Sequence, residues 1–140
     1  MTSMPASAEP HIRAVQAVLE AALQALPTPI HAKIGKRDDD ETRVVVIHGS
    51  PGDIAPGSLG DLFSDLTIPI QLTAVGTGPE QATAYADAAR VALLTTPLAV
   101  AGRRIWQPWQ VASQPVQRDD TVQPELWICT AQYEFKSTPA

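Results

Sequence analysis

Residues 67–94 read TIPIQLTAVGTGPEQATAYADAARVALL, and a single change of period inside them decides the fold class. From Thr67 to Val75 the chain alternates. Ile68, Ile70, Leu72 and Ala74 fall on one side and Thr67, Gln71 and Thr73 on the other, as in a strand with one buried face. Pro69 has no N–H to give to a ladder, so it predicts an edge strand or a bulge. From Gly76 the period lengthens. Thr77 is expected to cap a helix, Pro79 suits its first turn, and Glu80, three residues after Thr77, completes a capping box. That helix is expected to run to about Leu94 and to put Tyr85, Ala89, Ala92 and Leu93 into the core. Thr95, Thr96 and Pro97 end it, and its many alanines predict close packing on a sheet.

On the N-terminal side, residues 1–8 read as a flexible arm. A helix is expected from about Glu9 to Leu26, because Ile12, Val15, Leu19, Ala22, Leu23 and Leu26 recur at three- and four-residue intervals. Pro27 and Pro29 stop it. Ile30–Ile34 reads as a short strand ended by Gly35, followed by the charged run Lys36, Arg37, Asp38, Asp39, Asp40, Glu41. Val44–Ile47 has the β-branched composition of a buried strand. Gly49–Asp65, with four glycines and two prolines, reads as a long loop.

On the C-terminal side, Leu98–Trp106 reads as a hairpin or bent strand about Ala101-Gly102, and Gln110–Val116 as another strand. Gln117–Pro124 reads as a polar turn. The last strand, about Glu125–Phe135, puts Trp127, Cys129, Ala131, Tyr133 and Phe135 on one face. Lone helices flanking groups of strands predict an α+β domain: a mostly antiparallel β-sheet with two helices packed on it. One such domain spans residues 9–136, and residues 137–140 form a tail.

The bulk numbers narrow the function. A chain of 140 residues is long enough to bury a core of its own. A net charge of -5 and a pI near 5.0 argue against a surface that grips nucleic acid, because such affinity comes from cations neutralising phosphates. Cys129 is the single cysteine, so no internal disulfide forms. No signal peptide and no apolar run of membrane-spanning length, about 20 residues, is recognisable.

A search for chemistry finds no catalytic, cofactor or metal set. Gly76-Thr77-Gly78 sits where a dinucleotide-binding turn would begin, but position 81 is Gln in place of the third glycine, and the capping box explains the same residues more simply. His48-Gly49-Ser50 lacks a nucleophile elbow. His11, His31 and His48 are not at metal-ligand spacings, and Asp38, Asp39 and Asp40 lack the alternation and glycine of a calcium loop. Cys129 is expected to pack as a small hydrophobe. Trp106 and Trp109 flank Pro108 in a stretch too broken for ordinary core. Tryptophan is enriched at interface hot spots, so an interface role is expected for both.

The whole pattern resembles the tail terminator (tail completion) proteins of siphophages and related prophages. The match runs from Glu9 to Phe135. It is carried by the leading helix with prolines after it, Val44-Val45-Val46-Ile47, the glycine-containing loop, and Ile68-Pro69-Ile70-Gln71-Leu72. The helix through Leu94 into Pro97-Leu98-Ala99-Val100-Ala101-Gly102-Arg103-Arg104-Ile105 and the Arg118-Asp119 turn before Leu126–Phe135 complete it. The resemblance implies a virion structural protein and not an enzyme. It implies a homo-oligomer, a six-membered ring at the head-proximal end of the tail, assembled in the bacterial host's cytoplasm. The ring caps the tail tube, stops tube polymerisation and offers a face to a neck or head-completion protein. DNA passes through its lumen without specific binding, and no membrane or cofactor takes part. Candidate interface residues under this reading are Asp38, Asp39, Asp40, Asp53, Leu59, Leu62, Phe63, Arg103, Arg104, Trp106 and Trp109. Two alternatives stand beside it: a neck component such as a stopper, and a small ligand-binding or enzymatic domain using the long loop as a lid. The latter predicts a concave polar site with perturbed ionisable groups.

Overall fold

The alternating and helical stretches of 67–94 become the central strand and second helix of the protein. A computed structural model describes residues 7–55, 64–121 and 125–140. In chain order they form α1 (Ala8–Gln24), β1 (His31–Ile34), β2 (Val44–Gly49), β3 (Asp53–Ala55), β4 (Asp65–Gly76), α2 (Pro79–Thr95), β5 (Arg103–Ile105), β6 (Trp109–Ser113), β7 (Gln117–Asp119) and β8 (Leu126–Pro139). The strands make one sheet in the order β1-β2-β4-β8-β5, with β3 beside β4 and β6 and β7 beside β8. Only β1–β2 is parallel among these pairs. The architecture is α+β, with both helices on one face, as the change of period implies.

The core lies between that face and the helices. Ile68, Ile70, Leu72 and Ala74 of β4 and Tyr133 and Phe135 of β8 meet Val15, Leu19 and Leu23 of α1 and Tyr85, Ala89, Ala92 and Leu93 of α2. Each large side chain buried here contributes about 1.5–3 kcal/mol. The opposite face carries a smaller apolar cluster at one end only, formed by Val44, Val46, Val75 and Leu126 with Ile128. The charged run lies on the same side. Lys33 is the register partner of Val46 and therefore shares its face, and its ammonium binds Asp38 and Glu41. Between this cluster and the exposed Trp106 and Trp109 at the far edge, that face is polar and open.

Several local expectations are corrected. β4 is no edge strand, being paired along both sides, and the irregularity at Pro69 belongs to its partner. The N–H groups of Trp106 and Gln114 donate to the carbonyls of Lys136 and Thr130, so even-numbered residues of β8 turn their backbone toward β5 and β6. Pro69 is opposite Glu134 and hence turns its missing N–H away from β8. It faces the seam between β2 and β3. There Ile70 pairs Gly49 and Thr67 pairs Asp53, so three residues oppose two, as in a β-bulge.

The cap of α2 also differs. Gly78 is the N-cap without a side-chain bond, and the closure is made by Gln81, whose Oε1 accepts from the Thr77 N–H (2.8 Å) and hydroxyl (3.0 Å) in place of Glu80. Residues 98–100 form no strand. A turn returns the Arg103 N–H to the Val100 carbonyl through Gly102 at φ +74°, and β5 pairs β8 instead of folding back on them. Residues 117–119, expected in a turn, are β7. The strand expected over 110–116 runs from Trp109 to Ser113, and the expected tail at 137–139 is paired as the end of β8. Ala8, placed in the arm, opens α1.

Gly52 closes the bulge at φ +75°, and a Cβ there would lie 2.5 Å from the Thr67 carbonyl oxygen. Gly35 has φ +96° but open space around it. Gly52→Ala should therefore lower unfolding free energy by at least ~2 kcal/mol, from left-handed strain plus overpacking, and Gly35→Ala by about 1–2 kcal/mol from strain alone. Urea titrations of the two variants check the order. Equal losses would remove the close approach at the bulge from the account.

Candidate subunit interface

The acidic run is a folded turn. The Lys33 ammonium binds Asp38 at 2.7 Å and also Glu41, and Glu41 accepts the Asp38 N–H at 2.7 Å. Arg37 reaches the carbonyls of Asp38, Asp39 and Glu41 at 2.9–3.1 Å. The hydrogen bond from Lys33 holds the Asp38 carboxyl below its ordinary range. Asp39 and Asp40 are exposed on this turn, and Asp53 is exposed on β3, at the bulge. Leu59, Leu62 and Phe63 lie outside the described residues.

Arg103 and Arg104, adjacent in sequence, do different things. Arg103 points inward. Its Nε–H donates to Ser137 Oγ (2.9 Å), and its Nη2 donates to the carbonyls of Ser64 (2.6 Å) and Ser137 (2.9 Å). Ser137 in turn lies 2.6 Å from His11 Nε2, and His11 Nδ1 lies 2.7 Å from the Ser7 carbonyl. A carbonyl can only accept, which fixes the proton on Nδ1. Ser137 then donates to Nε2, and neutral His11 completes a fully matched chain. Burial holds the His11 pKa below its usual value, and the charge of Arg103 acts in the same direction. A histidine beside a serine invites a nucleophilic reading, but the two are 1% and 0% exposed. No substrate reaches them. Sequence reasoning missed this network. The signal was present, since His11, Val15, Leu19 and Leu23 recur every four residues on the buried stripe of α1.

Arg104 points outward and stacks over the Trp106 ring, 4.5 Å from its centroid. Trp106, Trp109 and Val111 are 46%, 43% and 50% exposed, making an apolar strip along the β5–β6 edge. The opposite edge is closed. Glu20 Oε2 accepts the Ala32 N–H (2.6 Å), Gln16 donates to the Ala32 carbonyl (3.1 Å), and Gln24 donates to the Ile30 carbonyl (2.8 Å). Burial alone would raise the Glu20 carboxyl, but the Ala32 N–H and His31 hold it below its ordinary value. The side chains of α1 thus occupy backbone groups that a neighbouring strand would need, a standard protection of sheet edges.

The open face carries a shallow trough of about 270 Å³ over His48, Gln71, Val111, Gln132 and Glu134. Its serine, Ser50, accepts the Gly52 N–H within an ordinary turn. At the other turn considered for chemistry, a Cβ on Gly76 would come within 2.9 Å of the Ala82 nitrogen, and Gln81 already occupies the Thr77 N–H. The glycine serves close packing of helix on strand. Among the described residues no group of three or more His, Cys, Asp or Glu is placed to hold a metal ion. Cys129 is half-buried, its thiol pushed up by burial.

Solved structures give the fold a context. One similar chain belongs to the "virion of native gene transfer agent (GTA) particle", at 16% identity and TM-score 0.63, with 91% of this chain and 97% of that chain covered. The chain shares the fold of a virion component. A looser resemblance, TM-score 0.43 at 18% identity over 92% of this chain and 91% of the other, is to bacteriophage SPP1 gp17 protein. No family model and no curated protein matches the sequence. No helix among the described residues is long and apolar enough to cross a membrane.

The protein thus shares its fold with a virion component, presents one apolar edge and one protected edge, and keeps its buried histidine for holding its termini together. That last role has a pH signature. Unfolded His11 takes up a proton near its ordinary pKa of 6.5, whereas burial in the folded chain disfavours the protonated form. Stability from this group is full above pH 6.5 and is lost as pH falls below it. Melting temperature should decline between pH 7 and pH 5, and His11→Gln, which does not titrate, should flatten that decline. An unchanged slope in the variant would assign the decline to other groups.

Proposed function

We propose that this chain is a tail terminator, a structural protein that forms a ring on the head-proximal end of a phage-type tail tube, stops its growth and provides the surface on which the head is joined. The observation that carries the reading is the near full-length correspondence of fold with a chain of a virion, at TM-score 0.63. One feature of the surface supports it. The two sheet edges are chemically unlike, which suits heterologous contacts, in which each subunit uses two different patches and a ring closes by rotation.

In this reading the partners are further copies of the chain, the tube protein on one side and a neck or head-completion protein on the other. DNA passes through the lumen without being held. A net charge of -5 favours transit, since an acidic balance repels phosphate more than it grips it. The exposed Asp39 and Asp40, with Asp53 at the bulge, are assigned to the lumen or to an adjacent ring.

Electron microscopy of lysates from particles lacking this one gene tests the assignment. Tail tubes of uncontrolled, excessive length beside filled heads are expected. Tails of normal length that fail to join heads would move the protein into the neck.

A further inference from the structure

Ser137 holds two elements at once, and it does so through a single hydroxyl. Its oxygen accepts the Nε–H of Arg103 on β5 at 2.9 Å, and its proton goes to Nε2 of His11 on α1 at 2.6 Å. The arrangement works only while Nε2 is unprotonated. The other ring nitrogen, Nδ1, keeps its proton on the Ser7 carbonyl in either state, so titration of His11 changes the Ser137 side alone. A proton added at Nε2 turns that nitrogen from acceptor to donor. The hydroxyl proton then loses its acceptor, and two cations, imidazolium and guanidinium, converge on one oxygen inside the fold.

No carboxylate among the described residues is paired with His11 to relieve this. Arg103 is the cation that faces it. β8 presents Ser137 and the Phe135 ring, whose centroid lies 6.2 Å away, and neither carries charge. Asp65, at the start of β4, acts on Arg103. On α1 itself Glu9 and Arg13 pair with each other at the surface. The two sides of the junction are also unequally anchored. Arg103 donates to the carbonyls of Ser64 and Ser137 as well, and β5 is paired to β8 at Arg103, Arg104 and Ile105. The first turn of α1 has fewer holds. Ser7 caps it without a side-chain bond, and its leading N–H groups have no intrahelical acceptor. His11 is its buried residue, and the next on the stripe is Val15, a turn further on. Ala8 and Ile12 are half-buried, where they wall a groove of about 550 Å³ with Ile34 and Pro51, Glu9 and Arg13 at its rim.

We infer that the His11–Ser137 contact is a proton-operated latch: protonation of His11 releases the first turn of α1 from β8, and with it one wall of the groove, while β5 and the β4–β8 ladder stay paired. The hinge falls between His11 and Val15, since Val15, Leu19 and Leu23 remain packed in the core. Such an opening costs less than global unfolding, because it exposes one buried polar side chain and little apolar surface. The latch belongs to the single chain and is independent of the assignment to a tail.

Amide hydrogen exchange of the free full-length chain between pH 7 and pH 5, corrected for the intrinsic pH dependence of exchange, tests the latch. Opening takes up a proton that the closed form disfavours, so protection of the Ile12–Val15 amides should fall by up to about tenfold per pH unit below 6.5. The amides of β4 and β8 should keep theirs. Equal loss everywhere would mean global acid unfolding and overturn the latch, as would constant protection of Ile12–Val15 down to pH 5. His11→Gln should make that protection independent of pH. Release over the same range in this variant would assign the opening to another group and remove the latch. The wild-type chain gives a second reading that needs no substitution. In NMR spectra the contact between the His11 and Phe135 rings should fade as His11 titrates. A contact that persists in the protonated form would show the first turn still held, against the inference.

Discussion

The antiparallel ladder between β4 and β8 is the constraint on which the rest of the structure depends. Eleven consecutive register pairs run from Leu66–Ser137 to Gly76–Trp127 without a slip. A shift of one residue would move Ile68, Ile70 and Leu72 to the open face and expose the core they build, so the pattern of these strands fixes their register. Every other strand except β1 pairs with one of these two. The strands β5, β6 and β7 are short because each covers only a section of β8. β2 and β3 divide β4 between them, with the bulge as their joint.

That division explains what was legible in the sequence. Periodicity reports what a residue's own face meets, so the long elements were readable: the stripe of α1, the alternation of β4, the helix through Leu94 and the two-faced last strand. β3, β5 and β7 have three residues each, too few for a period to register. Their existence is imposed by the long strand beside them. Pro69 shows the same limit from the other side. Its missing N–H was correctly taken as incompatible with regular pairing, but sequence cannot say that the partner strand, and not β4, makes the accommodation. The Thr77 closure was misassigned for a local reason. Gln81 stands one residue beyond Glu80 and can reach the same N–H.

The candidate site was legible in part. Trp106 and Trp109 stood out because a broken stretch gives aromatic rings nowhere to hide, and both are exposed. Arg103 and Arg104 could not be told apart, since their difference is set by which side of β5 each occupies. The groove was not legible at all. It is assembled from the first turns of α1, the end of β1 and the turn after β2, and no single segment carries its signature. Residues such as Ile12 and Ile34 look like ordinary core in a linear reading.

The buried chain from Arg103 through Ser137 to His11 gives these two surfaces a common origin. Arg103 anchors β5 against β8, and its neighbour Arg104 is thereby fixed on the outer face. His11 anchors the first turn of α1 to the same serine, and its neighbours Glu9 and Ile12 are thereby fixed at the rim and wall of the groove. A polar network inside a small core is expensive unless its buried members are matched, and among the described residues no fully buried side-chain nitrogen or oxygen lacks a partner. A hydrophobic replacement would fill the space, but it would not tie the first turn of α1 to β5 and to the end of β8.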